Sequence, residues 1–206
     1  MENLFRVEGP IYRICDTAAR LFLVNLLLII TVLPLVTAGA ALSAAHQVCG
    51  LIVEGKSSHV IHEYFSAFRK NWRRASVIWL ICLAVLLLLL IDLNYLVAAK
   101  ELLSWPLVGI GCVFLLAAIQ LQFALPLTAR YNLPLRRAAA LAVKLCLAHP
   151  FISLLLFMVS VLPVILGLLS PYLFVFGMYI GLFIGPAFLL FLQQHLLLWL
   201  FKKHEV

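Results

Sequence analysis

Four stretches of the chain, 75–98, 105–127, 150–169 and 173–200, each run for about 20 residues or more with almost no charge. A helix of about 20 apolar residues covers the roughly 30 Å hydrocarbon layer of a bilayer. Composition points the same way. Of the 206 residues 66% are hydrophobic and only 11% charged, against about 25% charged in soluble domains. In water such a chain would expose large apolar patches and aggregate. The sequence therefore predicts a single polytopic membrane domain over 1–206.

The segment before residue 75 admits two readings. One has a single span near 21–42. The other has two, 12–33 and 37–54, turning at Leu33-Pro34, because a residue before proline leaves the helical region. Cationic residues accumulate on the cytoplasmic side, and this bias arbitrates. With six spans, fourteen of the fifteen Lys and Arg fall on one side and only Lys100 on the other; with five spans the split is eleven to four. Six spans are favoured, with both ends in the cytoplasm. Arg6, Arg13 and Arg20 before an apolar run, with Ala38-Gly39-Ala40 after it, imitate a signal peptide. The charged region is too long and amphipathic, and the run too extended, so no cleavage is expected.

The outer turns are then short, near Pro34, residues 99–104 and Ser170, with Trp105 and Tyr172 at the outer interface. Tyr12, Trp72, Tyr131 and Trp199 fall at the inner one. Two inner segments carry helical stripes: Ile61, Tyr64, Phe65, Phe68 and Trp72, then Leu135, Ala138, Ala142 and Leu145. Each predicts a short amphipathic helix on the cytoplasmic surface, with Arg69, Lys70, Arg73, Arg74, Arg136 and Arg137 as a basic face. The expected fold is an all-α membrane bundle of about six transmembrane helices with these two surface helices. The net charge of +7 fits attraction to anionic headgroups; nucleic acid is not an expected partner. Five cysteines lie in or beside apolar stretches without a C-x-x-C pair, so neither a disulfide framework nor a zinc site is expected.

Three segments carry a family resemblance: Pro10-Ile11-Tyr12-Arg13, the run from Leu33 to Ala40, and the run from Tyr64 to Trp72. Together they resemble the YesL-like family of small bacterial membrane proteins, a family named for its unknown function. The family usually has a hydroxyl residue after the Gly-Ala pair, where this chain has Ala41. The resemblance implies a multi-pass protein of a bacterial plasma membrane, linked to carbohydrate uptake or utilisation. It carries no catalytic residues.

Polar residues inside a membrane are costly and are default functional candidates. With six spans, the second, fourth and sixth helices run in the same direction and carry His46 and Gln47, Gln120 and Gln122, and Gln193, Gln194 and His195. His46, Gln47, Gln120, Gln193 and His195 are the candidate polar pathway, lining a cavity open to the cytoplasm. The alternative is that these groups only hydrogen-bond neighbouring helices. Asp92 reads as a wetted carboxylate near the outer end, and Asn25 as a packing residue. Gly39 and the ridge Gly177, Gly181, Gly185 are predicted to let helices approach closely, within the bundle or between subunits.

Nucleotide, zinc-protease, serine-hydrolase and dinucleotide signatures are missing. No enzyme activity, metal or cofactor is expected. The leading expectation is a transport-associated or permease-like accessory component that meets the lipid bilayer and a membrane or cytoplasmic transport partner, with oligomers allowed. The alternative is a non-transporting scaffold or regulator of other membrane proteins.

Overall fold

The computed structural model describes residues 10–98, 105–131 and 133–204. They are helical almost throughout. Leu33-Pro34 ends α1 (Pro10–Val32) as expected; a short 3-10 turn, Leu35–Thr37, leads into α2 (Ala38–Val53). The Thr37 amide donates to Pro34 O at 2.9 Å. Its hydroxyl lies 2.8 Å from the Thr31 and Pro34 carbonyl oxygens. The turn thus supplies donors for carbonyls that the helix ends leave unpaired.

Helix α2 is built from small residues. Ala38, Gly39, Ala40, Ala41, Ala44 and Ala45 are all buried, which lets α1, the next helix and the last one pack closely around it. A methyl group added at Gly39 would meet the Ala75 carbonyl oxygen and fall 2.5 Å from Trp79 Cβ. Gly39 thus lies directly against α3.

The next helix, α3 (Val60–Ala98), has 39 residues. The expected surface helix near 60–72 is not a separate element; it is the first part of α3. No proline or glycine interrupts the chain between Trp72 and the apolar run, so nothing stops the helix. Its buried stripe is Val60, Tyr64, Ala67, Asn71, Ala75 and Ile78. Of the predicted stripe only Tyr64 is fully covered, while Ile61, Phe65 and Trp72 are exposed.

At about 1.5 Å per residue α3 is about 58 Å long. Its contacts fix its height against α2. Asn71 Nδ2 donates to Gln47 Oε1 at 3.5 Å, and Trp79 Nε1–H donates to Leu35 O at 3.0 Å. The Pro34 turn is therefore level with residues 75–79. The six-span expectation puts Gly39 and Ala75 near opposite faces of the membrane; the structure puts them in direct contact.

A long apolar rod follows: α4 (Trp105–Ile119), a π-helical turn (Gln120–Ala124) and α5 (Leu125–Tyr131). Helix α6 (Leu135–Ala148) is separate, as expected. It buries Ala138, Ala142 and Leu145 and exposes Arg136, Arg137 and Lys144. Then come α7 (Pro150–Leu169), α8 (Pro171–Phe183) and α9 (Gly185–His204), with a 75° bend between the last two. Five helical stretches are long and apolar enough to cross a membrane, or six if α8 and α9 form one bent span. The described residues thus hold no strand, and the chain is a helical, multi-pass membrane protein.

Candidate functional site

The bend between α8 and α9 is braced by Asn25, which is fully buried on α1. Pro186 has no N–H, so the Leu182 carbonyl loses its helical donor. Asn25 Nδ2 donates to Gly181 O at 3.0 Å and Leu182 O at 2.9 Å, and Asn25 Oδ1 accepts from the Ala187 amide at 3.3 Å. One side chain replaces bonds that the break removes. The bend turns α9 against α2 and so sets up the polar region.

There a cleft of about 290 Å³ opens between α2, α5 and α9. His46 forms its inner end. Gln194 Nε2 lies 2.9 Å from His46 Nδ1. An amide N–H only donates, so Nδ1 accepts and the ring proton rests on Nε2. Gly50, one turn beyond His46, leaves room for this amide: a methyl there would sit 3.4 Å from Gln194 Oε1. Gln47 lines the same cleft and accepts from Asn71.

Charges lie at the other end of the cleft. Glu54 follows the last turn of α2, and its carboxylate accepts from Arg130 Nη2 at 2.5 Å and Lys56 Nζ at 2.7 Å. The hydrogen bond from Lys56, with the Arg130 guanidinium beside it, outweighs partial burial and holds the Glu54 carboxyl below its ordinary value of 4.5. The Arg130 guanidinium also stacks 5.8 Å from the Tyr131 ring. The cleft thus offers amides and an imidazole within, and one carboxylate between two cations at its rim.

A second network lies across α9. Gln122, in the π turn, donates to Ser160 Oγ at 2.9 Å, and Gln193 donates to the same oxygen at 2.8 Å. Ser160 in turn donates to Leu156 O at 3.0 Å. These bonds tie the π turn, α7 and α9 together, and each partner is committed to a protein group. The Gln122–Ser160 pair borders an apolar groove of about 280 Å³ between α3, α4 and α7.

The five candidate pathway residues therefore do not share one cavity. His46 and Gln47 line the cleft, joined by Gln194. Gln193 turns to the second network. His195 is exposed and rests edge-on against the Phe191 ring, with centroids 5.3 Å apart. The side chain of Gln120 lies outside the described residues. Glu54 and Arg130 escaped sequence reasoning, since they are 76 residues apart; the only signal is that each is a charge at the end of an apolar run.

Arg69, Lys70, Arg73 and Arg74 are exposed on α3, with Arg73 stacked 5.7 Å from the Trp72 ring. Gly177 and Gly181 meet open space, and Gly185 sits at the bend against Ile180. Among the described residues the ridge meets the rest of the chain through the Gly181 carbonyl, which accepts from Asn25, and through Gly185. Asp92 is exposed. Among the described residues no group of His, Cys, Asp and Glu could hold a metal ion.

A family model described as "Protein of unknown function, DUF624" matches residues 21–93, which include α2 and most of α3. No curated protein and no solved structure matches the chain.

Proposed function

We propose that this is a YesL-like protein of a bacterial plasma membrane, with both ends cytoplasmic, acting as an accessory or permease-like component of solute uptake. Carbohydrates are the solute class implied by the YesL-like resemblance. The observation that supports the reading is the polar cleft at the charged ends of α2 and α5. Its amides, imidazole and charged rim suit an uncharged solute with several hydroxyl groups.

The cleft ends at the His46–Gln194 pair. Beyond it, Ala38, Ala40, Ala41 and Ala44 fill the space around α2. The basic residues Arg69, Lys70, Arg73, Arg74, Arg136 and Arg137 are placed to meet a partner or anionic headgroups.

The test compares uptake of labelled sugars in cells with the wild-type chain, with Gln47→Leu, and with no chain. Uptake that depends on the chain and falls with Gln47→Leu at equal membrane abundance supports the reading. Uptake indifferent to the chain contradicts it. One observation favours a scaffold as second reading: residues 171–180 of α8 are exposed throughout, with open space at Gly177 and Gly181. Cross-linking of Gly177→Cys to another membrane protein, with no uptake phenotype, would select the scaffold.

A further inference from the structure

We infer that the α1–α2 hairpin does not cross the membrane: it enters and leaves through the leaflet on the basic side, and its Pro34 tip rests in the hydrocarbon of that leaflet.

The first support is height. The Trp79 indole bonded to Leu35 O sets the turn level with the start of the apolar part of α3. Beyond that level α3 continues through 80–98, nineteen residues that rise about 28 Å, close to the roughly 30 Å of a hydrocarbon layer. This part is lipid-like on its surface, with Leu87, Leu88, Leu90, Ile91 and Val97 exposed. If Pro34 lay at the far face, these side chains would stand in water beyond it.

The second support is charge. Asn71 reaches Gln47 in the middle of α2, and Arg69, Lys70, Arg73 and Arg74 flank Asn71, all exposed. Each Arg or Lys at the centre of a bilayer costs about 2.5–3.5 kcal/mol on insertion scales. The middle of α2 is thus level with groups that belong in headgroups or water. The two constraints are independent, and both place the membrane boundary near Ala75.

Helix α6 marks the same boundary. Ala142 and Leu145 join the cluster formed by Phe123, Ile78 and Ala75, while Arg136, Arg137 and Lys144 face outward, as in a helix lying on a membrane surface.

The tip itself is dressed for hydrocarbon: Leu33, Leu35 and Val36 are 79%, 58% and 55% exposed. Backbone at membrane depth must be satisfied by protein. The Thr31, Pro34 and Leu35 carbonyls all have protein donors, from Thr37 and Trp79. Pro34 has no N–H to satisfy.

α3 and the rod from α4 to α5 then cross and return, and α7 with the α8–α9 pair comes back to the side it started from, so both ends stay on one side and the fourteen-to-one cation bias survives. The partner of the tip is the lipid of the basic-side leaflet. The inference holds whether or not the cleft binds a solute.

The experiment uses the full chain with its own cysteines replaced and a single cysteine at Val36 or at Trp105, which is 90% exposed at the start of the rod. Intact cells are treated with a membrane-impermeant maleimide. Trp105→Cys is expected to react from outside and Val36→Cys to stay unlabelled. In liposomes, a bimane at Val36 is expected to be quenched several-fold more by lipids with a nitroxide in the acyl chain than by headgroup-labelled lipids. Labelling of Val36→Cys from outside, or stronger quenching from the headgroup, overturns the inference. Because neither readout is uptake, its failure is distinct from failure of the proposed function.

Discussion

Helix α2 and helix α7 are both apolar and close in length, yet they live in different surroundings. Of the most apolar window of the segment 35–53, 61% is buried by protein; for Pro150–Leu169 the share is 11%. Small residues make the difference on α2, where alanines and Gly39 let three helices close in. On α7 large side chains such as Phe151, Leu154, Met158 and Leu162 face outward. Hydropathy sees one class of segment; packing sees two. His46 and the Gln194 amide meet on the packed helix, where protein can supply partners. On the lipid-facing helix Ser153 donates to a carbonyl one turn back, and Ser160, on the side that meets protein, also accepts from Gln122 and Gln193.

If this contrast is real, equal insults should have unequal effects. The largest difference is expected between Gly39→Leu and Gly177→Leu. The first drives a side chain into Ala75 and Trp79, and overpacking costs about 1–3 kcal/mol or more. The second enters open space and should stay within about 0.5 kcal/mol. Thermal unfolding in detergent reads both, and equal losses would break the comparison. Next in size is Asn25→Leu, which orphans the groups at the α8–α9 bend. A loss of about 2 kcal/mol is expected, since each buried unpaired group costs about 1–3 kcal/mol.

A smaller effect is expected at the cleft. His46→Leu leaves the Gln194 amide without its partner, and His46→Leu with Gln194→Leu should cost less than the sum of the singles, with a coupling of about 1 kcal/mol. Additive losses would mean that the pair does not hold α2 to α9. The smallest effect belongs to Glu54. Its carboxyl is held below 4.5 in the folded protein, so its contribution is fully present above that value. The contribution fades as pH falls through the lower folded value. Unfolding midpoints of wild type and Glu54→Gln should therefore differ at pH 7, by no more than a pair with an exposed partner is worth, about 0–1 kcal/mol. They should converge in acid, once pH has fallen below the lowered folded value. A difference that grows with acid would contradict the pairing.

The sequence made the membrane class legible, because uncharged 20-residue runs admit no soluble fold. It also marked the turn at Leu33-Pro34, since proline breaks a helix locally, and the Ala138–Ala142–Leu145 face of α6. Relative height was not legible. Whether Gly39 faces Ala75 or lipid is a matter of which helices meet, and no local pattern in α2 records it. The charges of 69–74 suggested a surface helix distinct from the span, although no breaker separates them; charge was read as a boundary of structure when it bounds only the membrane. The cleft was half visible. His46 and Gln47 stood out as polar residues in an apolar run. Their separation from Gln193 and His195 depends on the bend that Asn25 braces, and its partners lie 156 and 157 residues away.

The central claim is that α3 passes from an exposed basic part into lipid near Ala75, level with the Pro34 turn. A nitroxide scanned over Ile61, Phe65, Trp72, Leu80, Leu87 and Ile91 in bilayers tests it most directly, by comparing collisions with oxygen and with a water-soluble nickel chelate. The account predicts nickel access at Ile61, Phe65 and Trp72, and oxygen dominance from Leu80 onward. Oxygen dominance at Phe65 and Trp72 with nickel access at Leu87 and Ile91 would contradict it.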